Sequence, residues 1–304
     1  MALVTSDFLS ALFTNYHVIW EQAFLAANNQ VDYKRYCMVV DSSTDTESYS
    51  WLGTVPQMVQ WIDERQIQNF YAYNYSLQNL PYEVTVEVRR STLEDDKYNT
   101  IRPRIAQLGQ EAARFPAKQA ALALSSLTAT GYDGLTFYNT AHVIGSDAAQ
   151  SNKLTGTGTT LAQVRADFIT GRTAMRRFND DQGRPMNIAP DLVVIPPDLQ
   201  DVFDQLINST LIASPVTAAP SNVLSGAVDI IVDANLSDTN DWYLLDTHDI
   251  VKPLIYQMRV APEFTALDAP DSPGVFFHDR IYYGVRARFA FGYGDWVTAV
   301  RVVN

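Results

Sequence analysis

A single cysteine, Cys37, in 304 residues excludes an intrachain disulfide and any multi-cysteine metal centre, and it reads as a small buried hydrophobe. Histidine is scarce as well. His17, His142, His248 and His278 are scattered, none lies in a helical ligand pair, and each reads as structural or surface. Positive charge is in deficit: 22 Lys and Arg against 34 Asp and Glu leave a net charge of −12. That balance excludes a dedicated nucleic-acid binder, whose affinity rests on counterion release by clustered cations, though not incidental contact with DNA. No apolar run approaches the roughly 18–20 residues of a membrane span, so no membrane partner is expected. Met1–Asp7 lacks the charged flank and apolar stretch of a signal peptide, which points to synthesis and assembly in a cytoplasm.

Catalytic signatures are missing too. The chain has neither a G-x-S-x-G elbow nor a G-x-x-x-x-G-K-[ST] phosphate loop. Gly156-Thr157-Gly158 and Gly292-Tyr293-Gly294 each begin a dinucleotide fingerprint without completing it and read as turns. The acidic groups Glu94-Asp95-Asp96, Asp180-Asp181, Asp238 with Asp241 and Asp246 with Asp249 read as solvated turns or caps, because adjacent carboxylates diverge on helices and strands. No enzyme activity, cofactor or metal is expected.

What the chain does have is length for a sizeable core and many aromatics, 16 Tyr, 14 Phe and 5 Trp, residues favoured in strands and at interfaces. Helical spacing of Phe8, Leu12, Tyr16, Ile19 and Phe24 predicts a helix over 5–27, followed by a strand over 33–40. Tyr82, Val84, Val86 and Val88 alternate with Glu83, Thr85 and Glu87, the period of a half-buried strand. With the aromatic stretch from Trp51 to Trp61 they predict a long hairpin arm over about 48–90 that has no cover nearby in sequence. A second copy of the chain is its natural partner.

Ile101, Ile105, Leu108, Ala112 and Phe115 predict a long helix reaching residue 127, kinked or interrupted at Pro116. Residues 145–160 read as an exposed loop, and Leu161 to Phe178 as an amphipathic helix. Asp191 to Pro197 reads as a strand with a proline stop, preceding a helix over 198–208. Strands are expected over 242–245, 254–260, 282–291 and 296–303. Helix and sheet mix without regular βαβ alternation, an α+β pattern.

In order along the chain, these segments resemble the major head subunit family of Mu-like bacteriophages. The matching pieces are Trp51-Leu52-Gly53 with Pro56 and Trp61, Tyr82-Glu83, the Val86–Arg90 strand and Glu94-Asp95-Asp96. They continue with Tyr132-Asp133-Gly134, Phe137 and His142, then Gly183-Arg184-Pro185 and Leu192 to Pro197. The last are Asn240 to Asp246, Lys252-Pro253-Leu254-Ile255, and Tyr283 to Gly294. His142-Val143 departs from the His-Pro common in that family.

The resemblance implies the Hong Kong 97-type capsid fold. An N-terminal arm would occupy 1–44, an extended loop 45–92 and a peripheral domain with spine and junction helices 93–185. An axial domain would occupy 186–255, and C-terminal strands returning to the peripheral domain 256–304. It further implies a virion shell of hexamers and pentamers enclosing double-stranded DNA without sequence specificity. The implied partners are a portal protein at one vertex, a separate scaffolding protein and a decoration protein. With lysine confined to Lys34, Lys97, Lys118, Lys153 and Lys252, no covalent Lys–Asn cross-link is expected. An encapsulin-like bacterial nanocompartment shell is the alternative function, and an unrelated α/β enzyme a third.

Two groups of contact residues are expected. Trp51, Trp61, Arg65, Tyr82, Glu83 and Arg89 are the candidate intersubunit contacts of the arm, since Trp, Tyr and Arg dominate interface energetics. Arg165, Arg172 and Arg176 share one helical side and form a basic face turned to the lumen or to a neighbouring subunit. A solvated helix face is the plainer alternative for that row, against pairing with a neighbour's acids or contact with enclosed phosphate.

Overall fold

A computed structural model describes residues 6–50, 52, 75–94, 100–144, 148–180, 183–210, 221–269 and 272–304. The chain opens with α1 (Ser6–Asn28), a 3₁₀ turn at Tyr33–Arg35, β1 (Cys37–Asp41) and β2 (Thr46–Ser48). After β3 (Ser76–Gln78) and β4 (Leu80–Arg89) come the short α2 (Arg90–Glu94) and the long α3 (Ile101–Leu124). β5 (Lys153–Thr155) and α4 (Leu161–Arg176) lead to β6 (Leu192–Ile195), α5 (Gln200–Phe203), β7 (Asp229–Val232) and β8 (Trp242–Leu245). The chain ends with β9 (Leu254–Leu267), α6 (Pro273–His278), β10 (Arg280–Tyr293) and β11 (Ala299–Val303).

Two sheets carry the molecule. The first has the order β1-β9-β10-β4, with β9 and β10 antiparallel along most of their length. The second has the order β5-β11-β8-β6-β7. Its central strands β6 and β8 are buried at every residue, which is why they read as continuous apolar runs rather than alternations. This sheet takes strands from beyond 186–255, because β5 and β11 both belong to it.

α4 lies on the second sheet, where Gly171 faces Leu244, Leu154 and Val300. Gln163 accepts the Thr160 N–H at 3.2 Å to start that helix, and buried Asp167 holds the preceding loop through Thr157 N at 2.8 Å. Trp242, fully buried, meets Phe203 edge-on and Phe168 in a stack. Burying a ring of that size contributes about 1.5–3 kcal/mol.

α1 and α3 cover the first sheet. Tyr16 and Trp20 of α1 are buried with Phe264, Ile281 and Tyr283 in a satellite core. The helices meet closely at Gly109, where a Cβ would lie 2.5 Å from the Trp20 carbonyl oxygen. Glycine is the residue that permits this approach.

Several expectations need correction. β4 is not an arm without cover. It pairs with β10 from Leu80–Phe289 to Arg89–Arg280, and α3 lies over its apolar face, so Tyr82 stacks on Phe289 at 4.5 Å and meets Phe115 at 5.1 Å. The hairpin root is β2 with β3, closed by Tyr49 N donating to Tyr75 O at 2.7 Å, while residues 53–74 lie outside the described residues. α3 runs through Pro116 without interruption and ends at Leu124 rather than at 127. Pro116 is buried with Ala112, Ala113 and Ala120, so packing outweighs the lost hydrogen bond.

Residues 145–160 are not merely an exposed loop. β5 pairs there with β11, and Asn152, fully buried, donates to the carbonyls of Phe137 (2.8 Å) and Trp296 (3.2 Å). The helix expected over 198–208 is a 3₁₀ turn, a single α turn and a π turn in succession.

Candidate assembly surfaces

His142, Asp295, Asp241 and the Asp191–Asp246–His248 group are engaged in holding the fold. His142 is fully buried: Nδ1 lies 2.5 Å from Asp133 Oδ2, Nε2 3.2 Å from the Phe137 carbonyl oxygen, and the ring stacks on Trp296 at 4.3 Å. Neither nitrogen is left for a nucleophile. Next to this stack Asp295 accepts from Tyr132 Oη at 3.0 Å, and burial pushes its carboxyl up to about 6 even though that hydrogen bond pulls the other way. Asp241 receives Arg301 Nε at 2.8 Å deep in the second sheet, and Arg301 Nη1 also reaches the Ser125 carbonyl at the end of α3.

Asp191, Asp246 and His248 bring one ligand atom each within 4.8 Å of one another. Asp191 already accepts Thr247 N (2.7 Å) and Oγ1 (2.6 Å), Asp246 accepts His248 N (3.0 Å), and the His248 side chain is 78% exposed. This is a turn whose backbone N–H groups are taken up by the Asp191 and Asp246 carboxylates. Burial raises Asp246 from the ordinary carboxylate range. Of the other acidic groups, Asp180 is buried against Arg184, while Asp95, Asp96 and Asp181 lie outside the described residues.

Trp51, Trp61 and Arg65 also lie outside the described residues. Tyr82 is half-buried in its own chain's core, whereas Glu83 and Arg89 are exposed at opposite ends of β4. Among the described residues neither Glu83 nor Arg89 makes an ion pair; Glu83 accepts Thr85 Oγ1 at 2.8 Å. On α4 the three arginines do share one side. Arg165 and Arg172 are half-buried, Arg176 is exposed, and Arg172 lies over the Phe168 ring at 5.9 Å. None of the three has an ion pair among the described residues, and the buried Nε of Arg165 has no hydrogen-bond partner.

Two apolar features escaped sequence reasoning. Phe276 and Phe277 on α6 are each 72% exposed, with ring centroids 5.0 Å apart in a T-shape. A groove of about 260 Å³ runs between α3 and the face of β4, β10 and β9, floored by Tyr82, Phe115, Val285 and Phe289 and bordered on α3 by Glu111. The Phe pair was detectable in sequence as two adjacent large apolar residues between Pro273-Gly274 and His278-Asp279. The groove was not, because it is formed by segments some two hundred residues apart.

The chain, with this two-sheet geometry and its antiparallel β2–β3 pair, is similar to known proteins. The profile described as "Mu-like prophage major head subunit gpT" matches residues 9–167, 162–236 and 233–304. The "Mu-like prophage FluMu major head subunit" of Haemophilus influenzae is 27% identical over 303 residues, covering 98% of this chain and 74% of that protein. The "Major capsid protein" of Escherichia phage Mu is 27% identical over 301 residues, covering 99% of this chain and 75% of that protein. The procapsid subunit of bacteriophage JBD30 superposes with a TM-score of 0.57 at 26% identity, over 99% of this chain and 76% of that one. The chain therefore belongs to the Mu-like prophage major head subunit family, a family of structural capsid proteins, and has the Hong Kong 97-like α+β fold.

Proposed function

We propose that this major head subunit of a Mu-like particle closes, as hexamers and pentamers, into an icosahedral virion shell around double-stranded DNA. The observation that carries the reading is the family match, which runs in order from residue 9 to residue 304. The first sheet with α1 and α3 would form the peripheral domain, α3 being its spine. The second sheet with α4 would form the axial domain, and the segment rooted at β2 and β3 the extended loop. Trp51, Trp61 and Arg65 would anchor that loop on a neighbouring subunit, and the chain would serve no catalytic role.

The net charge of −12 supports a wall that contacts packaged phosphate weakly rather than gripping it. The row of Arg165, Arg172 and Arg176, without an ion pair among the described residues, supports a local contact with a neighbour or the lumen. The further partners would be a portal at one vertex, a separate scaffolding protein and a decoration protein, with assembly in the host cytoplasm. Between this reading and a nanocompartment shell, relatives that are phage head and capsid proteins favour the phage.

Sedimentation and negative-stain imaging of the expressed protein test the proposal. Shells, tubes or capsomers are expected, and particles from a phage lysate should hold DNA. A stable 34 kDa monomer at high concentration in several salts would overturn it, and particles filled with cargo protein would favour the nanocompartment.

A further inference from the structure

We propose that the Phe276–Phe277 knob of one copy seats in the groove beside Phe115 of a second copy, a head-to-tail contact between subunits. The proposal rests on the shell reading, which supplies the second copy, and adds a contact separate from the extended loop.

The knob is built to stay out. Val275 is buried in the satellite core and fixes the turn on the sheet. A Cβ on Gly274 would lie 2.6 Å from the Tyr282 ring and 3.1 Å from the Arg280 carbonyl oxygen, so α6 sits as close to β10 as a backbone can. Asp279 then reverses the chain in the left-handed region, at φ 50°. Its N–H donates to Val275 O at 3.1 Å, and its carbonyl accepts Arg90 N at 3.0 Å. With the turn clamped on both sides, neither phenyl ring can fold back onto its own core. Two adjacent large aromatics held in water mark a contact surface.

Shape and charge select the occupant. The groove's floor is aromatic and aliphatic, and its rim carries Glu111, which has no cation partner among the described residues, while the Glu83 carboxylate takes the Thr85 hydroxyl on the other face of β4. The knob's end of the sheet carries the opposite sign, with Arg89 exposed and Arg280 beside it in register. Arg280 holds Glu87 at 2.6 Å, while Arg89 has no ion pair among the described residues. Along β10 the knob and the groove are separated by roughly 17–30 Å of rigid strand, so a subunit cannot fill its own groove. A surface with a basic aromatic plug at one end and an acidic apolar socket at the other is complementary to a translated and rotated copy of itself. Such a heterologous contact closes into a ring when the rotation allows.

The experiment co-expresses two variants with one added cysteine each, Phe277→Cys and Glu111→Cys, and runs the resulting particles on non-reducing gels. Native Cys37 is buried and stays silent. A covalent dimer is expected only in mixed particles, because a disulfide requires the two Cα atoms within about 7 Å. Particles lacking that mixed-only dimer, or dimers from Phe277→Cys alone, would overturn the knob-in-groove contact while leaving the shell reading in place. In parallel, Phe276→Ser with Phe277→Ser should cut particle yield at least tenfold, as judged by sedimentation, with the subunit's melting temperature unchanged. Glu111→Arg and Arg89→Glu should each lower yield, and their combination should restore it. Wild-type yield from the Ser pair or from both single charge reversals would reject the contact. Failure of the wild type to form any particle would remove the shell reading and this contact with it.

Discussion

Asp295 and His142 both adjoin Trp296, one as its chain neighbour and the other stacked on its ring, yet respond to change in opposite ways. The Asp295 carboxyl titrates at about 6 in the folded chain against about 3.8 when free, so it favours the fold below the lower value and loses that contribution as pH rises through the upper one. Above pH 7 the buried charge costs about 3 kcal/mol relative to the protonated state. Asp295→Asn keeps an oxygen for Tyr132 and Val297 without the charge. The variant should melt a few degrees above the wild type at pH 7.5 and lose that advantage at pH 4.5, as read by circular dichroism of dissociated subunits. A gap independent of pH would count against the burial argument. His142→Gln, by contrast, removes the ring contact to Asp133 Oδ2 at a nearly buried site and leaves that carboxylate only the Leu135 N–H, so it should cost about 3 kcal/mol. His248→Gln, largely exposed, should be near neutral in the same melts. Sequence reading placed these histidines in one class, because scatter along the chain excludes a metal motif but carries no information about burial.

Elements whose hydrophobic period runs for four turns or more were legible. α1, α3 and α4 lie within a few residues of their expected ranges, as do the fully apolar β6 and β8. Short elements were not: β5 is three residues long and stabilised by a distant strand, so no local pattern announces it. Pro116 was over-read because propensity counts the lost hydrogen bond and ignores the sheet against which α3 is buried. The α1–α3 seam gives a sharp test at this scale. Gly109→Ala would force a methyl group to within 2.5 Å of the Trp20 carbonyl, which is backbone and cannot swing aside. A loss of about 1–3 kcal/mol is expected, with α1 displaced and Trp20 exposed to solvent. Denaturant melts together with a red-shifted tryptophan emission would register it. An unchanged melt would mean that α1 rides loosely on α3.

For the whole molecule, the candidate contacts divide by what local sequence can reveal. The alternation of Tyr82 to Val88 correctly marked a half-buried strand. It did not reveal that α3 and β10 cover that strand from within the chain, since both lie far away in sequence. The correction changes where the segment proposed as the extended loop can be cut. Removing everything from Leu52 to Tyr82 would take away β3 and the start of β4, and the buried Gln257 would lose both acceptors of its side-chain N–H groups, Leu77 O (3.2 Å) and Asn79 Oδ1 (2.8 Å). Replacing residues 53–74 with a short Gly-Ser link leaves the β2–β3 root and the first sheet intact. If the loop joins subunits, this variant should fold with near-native circular dichroism and a melting temperature within a few degrees of wild type, yet form no closed particles in the electron microscope. Trp61→Ala should weaken assembly in the same direction, because an aromatic interface anchor is typically worth about 2 kcal/mol or more and the loss repeats at every copy in a shell. Particles of normal size and yield from the 53–74 replacement would show that other surfaces close the shell, with the knob and groove then the first to examine.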